Sequence, residues 1–457
     1  MTSNLDQALA YARNNHPRFL AELVDFVSIP SVSTDPNAKP EMQRAAEWVA
    51  AQLRSLGFSR VQILPTAGHP VVYGENLSAG PAKPTALIYG HYDVQPAEPL
   101  DLWHSPPFTP TQRDENLYGR GASDMKGQVM ASLKAVEALT HNGGLPINIK
   151  YLVEGEEEIG SPNLEAFIEA NRELLACDFA INPDTGMIGA DQPTITYGLR
   201  GLAYFEIRVS GPAQDLHSGM FGGVVHNPAQ VLCELVAGMH DPQGRITLPG
   251  FYDRVRPVSP EEHQELSRLP MDEEFYLEQT GAPALKGEAG YLPVEWVAVR
   301  PTLEVNGLLS GFTGEGTKTV LPAKAMAKIS MRLVPDQDPQ HVYQQLCQYL
   351  ERNAPATIKW QVIKMAGNAA SITDRHHPAV EALTRAMQET WGINPLYKRE
   401  GGSVPVVTQM QHILGIDSVL TGFGLPDDNL HAPNEKIHLP TYYRGIDVFT
   451  RYLYYLG

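Results

Sequence analysis

Three short apolar runs, TALIYG (85–90), NIKYLVEG (148–155) and CDFAINPD (177–184), constrain the fold of this chain more than any other feature. Their length and composition suit buried strands, and helical periodicity separates them. Residues 126–140 place Val129, Leu133 and Val136 on one stripe, with Gly143-Gly144 beyond the end. Residues 40–56 do the same with Met42, Ala45, Val49, Leu53 and Leu56, stopping at Gly57. Strands that alternate with amphipathic helices build βαβ units, so the expected fold class is α/β with a mostly parallel sheet flanked by helices.

The texture changes near residue 200. AYFEIRVS (203–210) alternates, with Phe205, Ile207 and Val209 on one face and Tyr204, Glu206 and Arg208 on the other. AKISMRLV (327–334) and IKWQVI (358–363) alternate similarly, as half-exposed strands do. Asn227-Pro228 and Asp338-Pro339 each read as a helix start, with an N-cap followed by proline at the first helical position. Residues 241–300 are rich in Pro, Gly and acids and read as long loops with short helices. A helix follows from 378, carrying Val380, Leu383 and Met387, before EGGSVPVV and SVLTGFG. The expected organisation is a catalytic domain in two parts, 1–202 and 376–457, with an α+β domain at 203–375 inserted between them.

Length and composition narrow the function. The chain has 457 residues, 43% of them hydrophobic and 19% charged, enough for two or three domains with a sizeable core. Its net charge is −17 and no basic block occurs, which argues against nucleic acid as a partner. No uncharged apolar run is long enough to span a membrane. Three widely spaced cysteines, Cys177, Cys233 and Cys347, give neither a disulfide framework nor a thiolate zinc site. The first residues lack the pattern of a secretion signal, so a cytoplasmic location is expected.

Five acidic or histidine positions follow strands or fall in irregular segments, where parallel sheets bind ligands. They are His91, Asp124, Glu158, Asp184 and His431. Imidazole nitrogen and carboxylate oxygen suit zinc, and two histidines with three carboxylates hold two zinc ions if one carboxylate bridges. Two zincs and three carboxylates leave a net charge of +1. Singly, each element is weak: an HxD is commonly structural, an acidic triplet commonly solvated, and a loop Asp commonly caps a turn. The reading rests on their joint occurrence, in order, at strand ends. Calcium suits two histidines less well than zinc does.

The segments GHYDVQP (90–96), GRGASDMKG (119–127), EGEEEIGS (154–161), DLHSGMFGG (215–223), RPTLEVNG (300–307), KTVLP (318–322), RLVP (332–335), EGGSVPV (400–406) and NLHAPNE (429–435) span nearly the whole chain. Together they resemble the dinuclear zinc peptidase family of carnosinases, aminoacylases and succinyl-diaminopimelate desuccinylase. DLHSGMFGG, RPTLEVNG and RLVP resemble its carnosinase-type dipeptidase branch. The resemblance implies that His91 and Asp184 bind one metal and Glu158 and His431 the other, with Asp124 bridging. It implies zinc as the metal, with manganese or cobalt as alternatives. Asp93 would hydrogen-bond the His91 imidazole, and Glu157 would be the general base, although Glu156 leaves the register within the triplet open.

The inserted domain is implied to be a lid and dimerisation surface. His217 would reach across a homodimer to stabilise the oxyanion, and Arg332 would grip the substrate's C-terminal carboxylate. Thr319, Ser403 and the backbone of Gly401 and Gly402 would complete the substrate site. The pattern departs at Asn368, where carnosinases place a histidine, so the resemblance does not extend to a histidyl-dipeptide preference. The implied activity is a metal-dependent dipeptidase acting on small peptides. The alternatives are an N-acyl-amino-acid amidohydrolase or desuccinylase and, from another class, a non-catalytic scaffold, which predicts missing ligands.

Overall fold

The computed structural model describes residues 3–402 and 404–457. The chain forms two units. The first comprises Met1–Tyr197, Thr373–Tyr397 and Pro405–Gly457; the second comprises Gly198–Ile372 and Lys398–Val404. Compared with the expected 203–375, the second unit starts five residues earlier, ends three earlier and includes the later segment 398–404. The reason is local: the Arg200 amide donates to the Glu400 carbonyl at 3.2 Å, which ties that segment to the start of the second unit.

In the first unit four strands run parallel in the order Asn148–Glu154, Thr85–His91, Phe179–Asn182 and Ser418–Leu420. Three are the apolar runs of the sequence, and every residue of 148–154 is buried. Antiparallel strands extend the sheet: Val71–Asn76 and Arg60–Leu64 on one side, Thr194–Leu199 on the other. Gln128–His141 is packed by Leu439–Tyr455 and Asn4–Asn14, while Lys39–Ser55 lies against the antiparallel edge. Burial on several sides explains why Gln128–His141 hides even Lys134 and Glu137, which are tolerated there because they pair at 2.9 Å. This is the α/β architecture expected, with a mostly parallel centre.

That helix begins two residues later than its periodicity suggests. Residues Ala122–Gly127 form an irregular turn in which Asp124 has φ −111° and ψ 99°. Gly127 is required at its end, since a Cβ there would meet the Ala122 carbonyl oxygen at 2.3 Å. The turn thus delivers Asp124 to the same end of the sheet as His91.

The second unit is an antiparallel sheet in the order Thr302–Ser310, Lys324–Leu333, Gly201–Ser210 and Lys359–Asn368. Its core is one face of the alternation: Phe205, Ile207 and Val209 join Ile329, Met331 and Leu333. Helices Pro228–Ala237 and Pro339–Asn353 cover that face. Both start as their sequences require, with Asn227 capping the Ala229 amide and Asp338 capping the His341 amide. Helices Pro260–Leu266, Glu273–Thr280 and Pro293–Ala298 interrupt the long loops. Among the described residues no helix is long and apolar enough to cross a membrane.

Candidate metal centre

His91 is the last residue of its strand and is fully buried. Its Nε2 lies 3.2 Å from Asp124 Oδ1 and 3.9 Å from Asp184 Oδ2. Asp184 stands two residues past strand Phe179–Asn182, its amide donating to Asn182 Oδ1 at 2.9 Å. On the other side of Asp124, His431 Nε2 lies 2.9 Å from Oδ2 and 3.2 Å from Glu158 Oε2. His431 sits in the left-handed region at φ 59°, a conformation that non-glycine residues rarely adopt outside constrained sites. Two triads result, His91-Asp124-Asp184 and Asp124-Glu158-His431, and within each the ligand atoms lie within 4.8 Å of one another. Asp124 belongs to both and turns one oxygen to each imidazole.

The electrostatics fit cations. Burial opposes charge on His91, yet Asp124, Asp93 and Asp184 together raise its pKa well above the ordinary value. His431 is pushed up to about 10 by Asp124 and then Glu158. Burial would raise the Asp124 carboxyl, but the two imidazoles outweigh it and hold it low. Converging carboxylates that drive neighbouring imidazoles toward their charged form demand positive charge. The donor set of nitrogen and oxygen suits zinc, manganese or cobalt.

The acidic triplet divides into three environments. Glu156 turns away and is buried, accepting from Asn163 Nδ2 at 2.8 Å and from the His69 amide at 3.2 Å. Glu158 faces His431 and is held by Gln95, whose Nε2 donates to Oε2 at 2.9 Å. Burial raises the Glu157 carboxyl to about 8 against the pull of His91, and Asp184, Glu158 and Asp124 raise it further. Of the three, Glu158 belongs to a candidate metal triad and Glu156 does not.

Asp93 is placed differently from the simple expectation. The nearer partner of His91 Nδ1 is the Asp93 carbonyl at 3.0 Å; the carboxylate oxygen is 3.4 Å away. That carboxylate also accepts the Glu157 and Glu158 amides, at 3.3 and 3.1 Å. Asp93 therefore couples the His91 strand end to the turn that carries the triplet.

Residues outside the expected set brace the centre. The buried Glu435 carboxylate accepts the Ser123 and Asp124 amides on Oε1 at 3.0 and 3.1 Å. Its Oε2 accepts the Gly121 amide at 2.9 Å and Arg120 Nη1 at 2.7 Å. Asp428 takes Ser123 Oγ at 2.8 Å and Lys436 Nζ at 3.0 Å. Glu435 lies within NLHAPNE, four residues after His431, but nothing local distinguishes it from a surface acid.

His217, Thr319, Arg332, Gly401 and Gly402 belong to the second unit, whereas the metal triads belong to the first. His217 is exposed and pairs across a two-residue ladder with Val320; its Nδ1 accepts the Gly219 amide at 3.0 Å. The Thr319 carbonyl accepts the Ser218 amide at 3.0 Å, which brings these two segments together. Arg332 is half-buried between cross-strand partners Thr302 and Leu202. Gly401 packs on Arg200, while a Cβ added at Gly402 would meet no described residue within 4 Å. Ser403 lies outside the described residues.

Comparison with known proteins accords with this geometry. A Cys-Gly metallodipeptidase of Candida albicans is 34% identical over 464 residues, covering 96% of this chain and 95% of the relative. The structure of an M20 family metallo-carboxypeptidase from Sulfolobus solfataricus matches with a TM-score of 0.83 at 34% identity, over 96% of this chain and 99% of that one. Human carnosine dipeptidase 1 matches with a TM-score of 0.76 at 32% identity, over 100% and 99%. The sequence pattern of peptidase family M20/M25/M40 matches residues 87–455. A catalytic-fold match over nearly the full length, a family pattern over most of it, and two metal triads sharing Asp124 lead to one assignment: the chain belongs to peptidase family M20/M25/M40.

Proposed function

We propose that this chain is a metal-dependent dipeptidase, hydrolysing the amide bond of dipeptides that carry a free C-terminal carboxylate. The observation that carries the reading is Asp124 set between two imidazoles, one carboxylate oxygen toward each, with Glu157 next to Glu158 in the turn after its strand. His91 and Asp184 would hold one ion, Glu158 and His431 the other, with Asp124 shared. Zinc is favoured over manganese or cobalt; when bound, the ions supply Lewis acidity that polarises the scissile carbonyl and acidifies water.

Glu157 takes a proton from the attacking water onto its carboxylate and returns it to the leaving amine, so the residue ends as it began. Its burial suits this, because a carboxylate poorly solvated in the resting state is a stronger base. Asp93 fixes His91 and the Glu157-Glu158 backbone relative to each other, and Gln95 orients Glu158. From the family resemblance, Arg332 binds the terminal carboxylate, and Thr319, Gly401, Gly402 and Ser403 line the substrate. The second unit would act as lid and dimerisation domain, with His217 stabilising the oxyanion in the partner's site of a homodimer. The three cysteines are free, which fits the reducing cytoplasm.

The relatives differ in what their names say they act on: Cys-Gly, carnosine, and peptides cut from the carboxyl end. All three leave a free carboxylate next to the scissile bond, and that shared feature is the one carried to this chain. Carboxypeptidase action on longer peptides is the second reading, favoured by the Sulfolobus structure at equal identity. Chelator-treated protein reloaded with zinc, manganese or cobalt, and assayed on Ala-Gly, a tripeptide panel and N-acetyl amino acids, separates them. Cleavage of the acyl amino acids without dipeptide cleavage overturns the dipeptidase reading.

A further inference from the structure

The acidic triplet rides on a turn that is closed at its base by three side chains outside the metal triads. Glu154 ends strand Asn148–Glu154, is 2% exposed, and is the cross-strand partner of His91. One of its oxygens, Oε1, accepts two hydroxyls, from Tyr89 at 2.7 Å and from Ser161 at 2.9 Å. Tyr89 stands two residues before His91 on the neighbouring strand, and Ser161 stands three residues after Glu158. A single carboxylate oxygen thus joins the strand that ends in His91 to the point where the triplet's turn returns.

Ser161 takes this position against its own backbone preference. It has φ 50°, in the left-handed region, directly after Gly160 at φ 84°. Glycine is free of steric cost there and serine is not. What serine has and glycine lacks is the hydroxyl, and Glu154 engages it. Ser161 is buried, so solvent does not take that hydroxyl instead. Backbone strain of this kind persists where the surrounding contacts over-determine it.

Backbone bonds carry the closure on to the triplet. The Ser161 amide donates to the Glu156 carbonyl at 2.8 Å, and the Gly160 amide donates to the Glu157 carbonyl at 2.8 Å. The Asp93 carboxylate takes the Glu157 and Glu158 amides from the other side. Glu157 is therefore held twice, by Asp93 through the amides and by the Glu154–Ser161 bond through the returning end of the turn. Releasing Ser161 removes only the second hold.

We propose that Glu154 and Ser161 are positioning residues for the general base: their bond sets where the Glu157 carboxylate stands relative to His91 and Glu158. This rests on the reading of Glu157 as the base. The effect is geometric, since both residues act through the backbone of the turn and Glu154 serves as an acceptor through one oxygen. An uncharged acceptor of the same shape should therefore serve as well as a carboxylate. A displacement of about 1 Å at a reacting group costs about 100-fold in rate, so a small shift of Glu157 shows in kcat before it shows in the fold.

The test measures kcat and KM on Ala-Gly, metal content and melting point for wild type, Ser161→Gly, Ser161→Ala, Glu154→Gln, Glu154→Met and Glu157→Gln. Ser161→Gly removes the hydroxyl and the strain together; the two effects offset, so the melting point should stay within about 3 °C. Its kcat should nevertheless fall about 10- to 100-fold, at unchanged metal content and with KM within about threefold. Ser161→Ala keeps the strain and loses the bond, so it should match that kcat and melt lower. Glu154→Gln, whose carbonyl oxygen still accepts both hydroxyls, should keep kcat within about threefold, whereas Glu154→Met should fall as far as Ser161→Gly. Wild-type kcat in Ser161→Gly overturns the proposal, as does loss of metal in step with kcat, which means a merely structural role. Glu154→Gln as impaired as Glu154→Met also overturns it, because charge rather than acceptance would then be at work. Hydrolysis kept in Glu157→Gln removes the base reading and this proposal with it. An inactive Glu157→Gln beside an unimpaired Ser161→Gly sinks the positioning role alone. If wild type cleaves N-acetyl amino acids instead of dipeptides, the same measurements are made on those.

Discussion

Replacing Glu435 by glutamine tests whether the Asp124 turn is held from outside the metal ligands. Glu435 is fully buried and each of its oxygens accepts two donors: Ser123 and Asp124 amides on one, the Gly121 amide and Arg120 on the other. Burial raises this carboxyl to about 7, but four donors leave no acceptor for a carboxyl proton, and the ionised form is the one this geometry holds. Glutamine has nearly the same shape, yet whichever way the amide is placed, its NH2 group faces two donors. Two hydrogen bonds are lost, and Arg120, itself 1% exposed, loses its counter-charge.

Removing one partner of a buried ion pair costs about 3–5 kcal/mol, a large share of a typical stability of about 5–15 kcal/mol. Since each 1.4 kcal/mol is a factor of about ten, hydrogen exchange across residues 119–127 should accelerate by about a thousandfold in chelator-treated protein. Metal affinity, read by competition with a chromophoric chelator, should fall about 10- to 100-fold, as for other outer supports of metal ligands. Glu165→Gln, at an exposed helical site, is the control and should change exchange negligibly. Exchange within about threefold of wild type, with unaltered metal affinity, would refute the argument, because the turn would then be holding itself.

Four further outcomes are expected. Asp124→Ala should lose at least one of two metal ions per chain, since water cannot replace a ligand shared by both; full metal content by elemental analysis removes the bridging assignment. Glu157→Gln should keep its metal and lose hydrolysis by several orders of magnitude, whereas Glu158→Gln should lose metal; reversed phenotypes shift the triplet register by one. Mixing His217→Ala with Glu157→Gln should restore up to about a quarter of wild-type activity, because half the exchanged dimers are mixed and each holds one intact site. No recovery despite proven subunit exchange confines His217 to its own chain or removes it from catalysis. Gly401→Ala should lower the melting point, because its Cβ lands 2.8 Å from Nη2 of the buried Arg200 and 2.9 Å from Val297 Cγ1; an unchanged melting point counts against this.

Some of this protein was legible from its sequence because the responsible physics is local. A buried parallel strand is predominantly apolar, so TALIYG, NIKYLVE and FAIN stand out, and the residues after them stand at the sheet end where ligands bind. Asn227-Pro228 and Asp338-Pro339 mark helix starts because a cap and its amide are two or three residues apart. The alternation in 201–210 and 324–333 separates a core face from the polar face that bears Arg332.

Tertiary structure decided what each acidic residue does, because a carboxylate's role depends on partners that lie far away in the chain. Glu156, Glu157 and Glu158 are identical in sequence terms. Asn163 and His69 claim the first, and His431 and Gln95 claim the third. Asp93 accepts amides 64 and 65 residues away, and Glu435 braces a turn 311 to 314 residues before it. Arg200 reads as one more strand-flanking arginine until the fold buries it against the carbonyls of Gly401, Trp296 and Arg300. Local patterning encodes where backbone runs and which face is dry; charge pairing inside the protein is a matter of contacts between distant segments, and no periodicity records it.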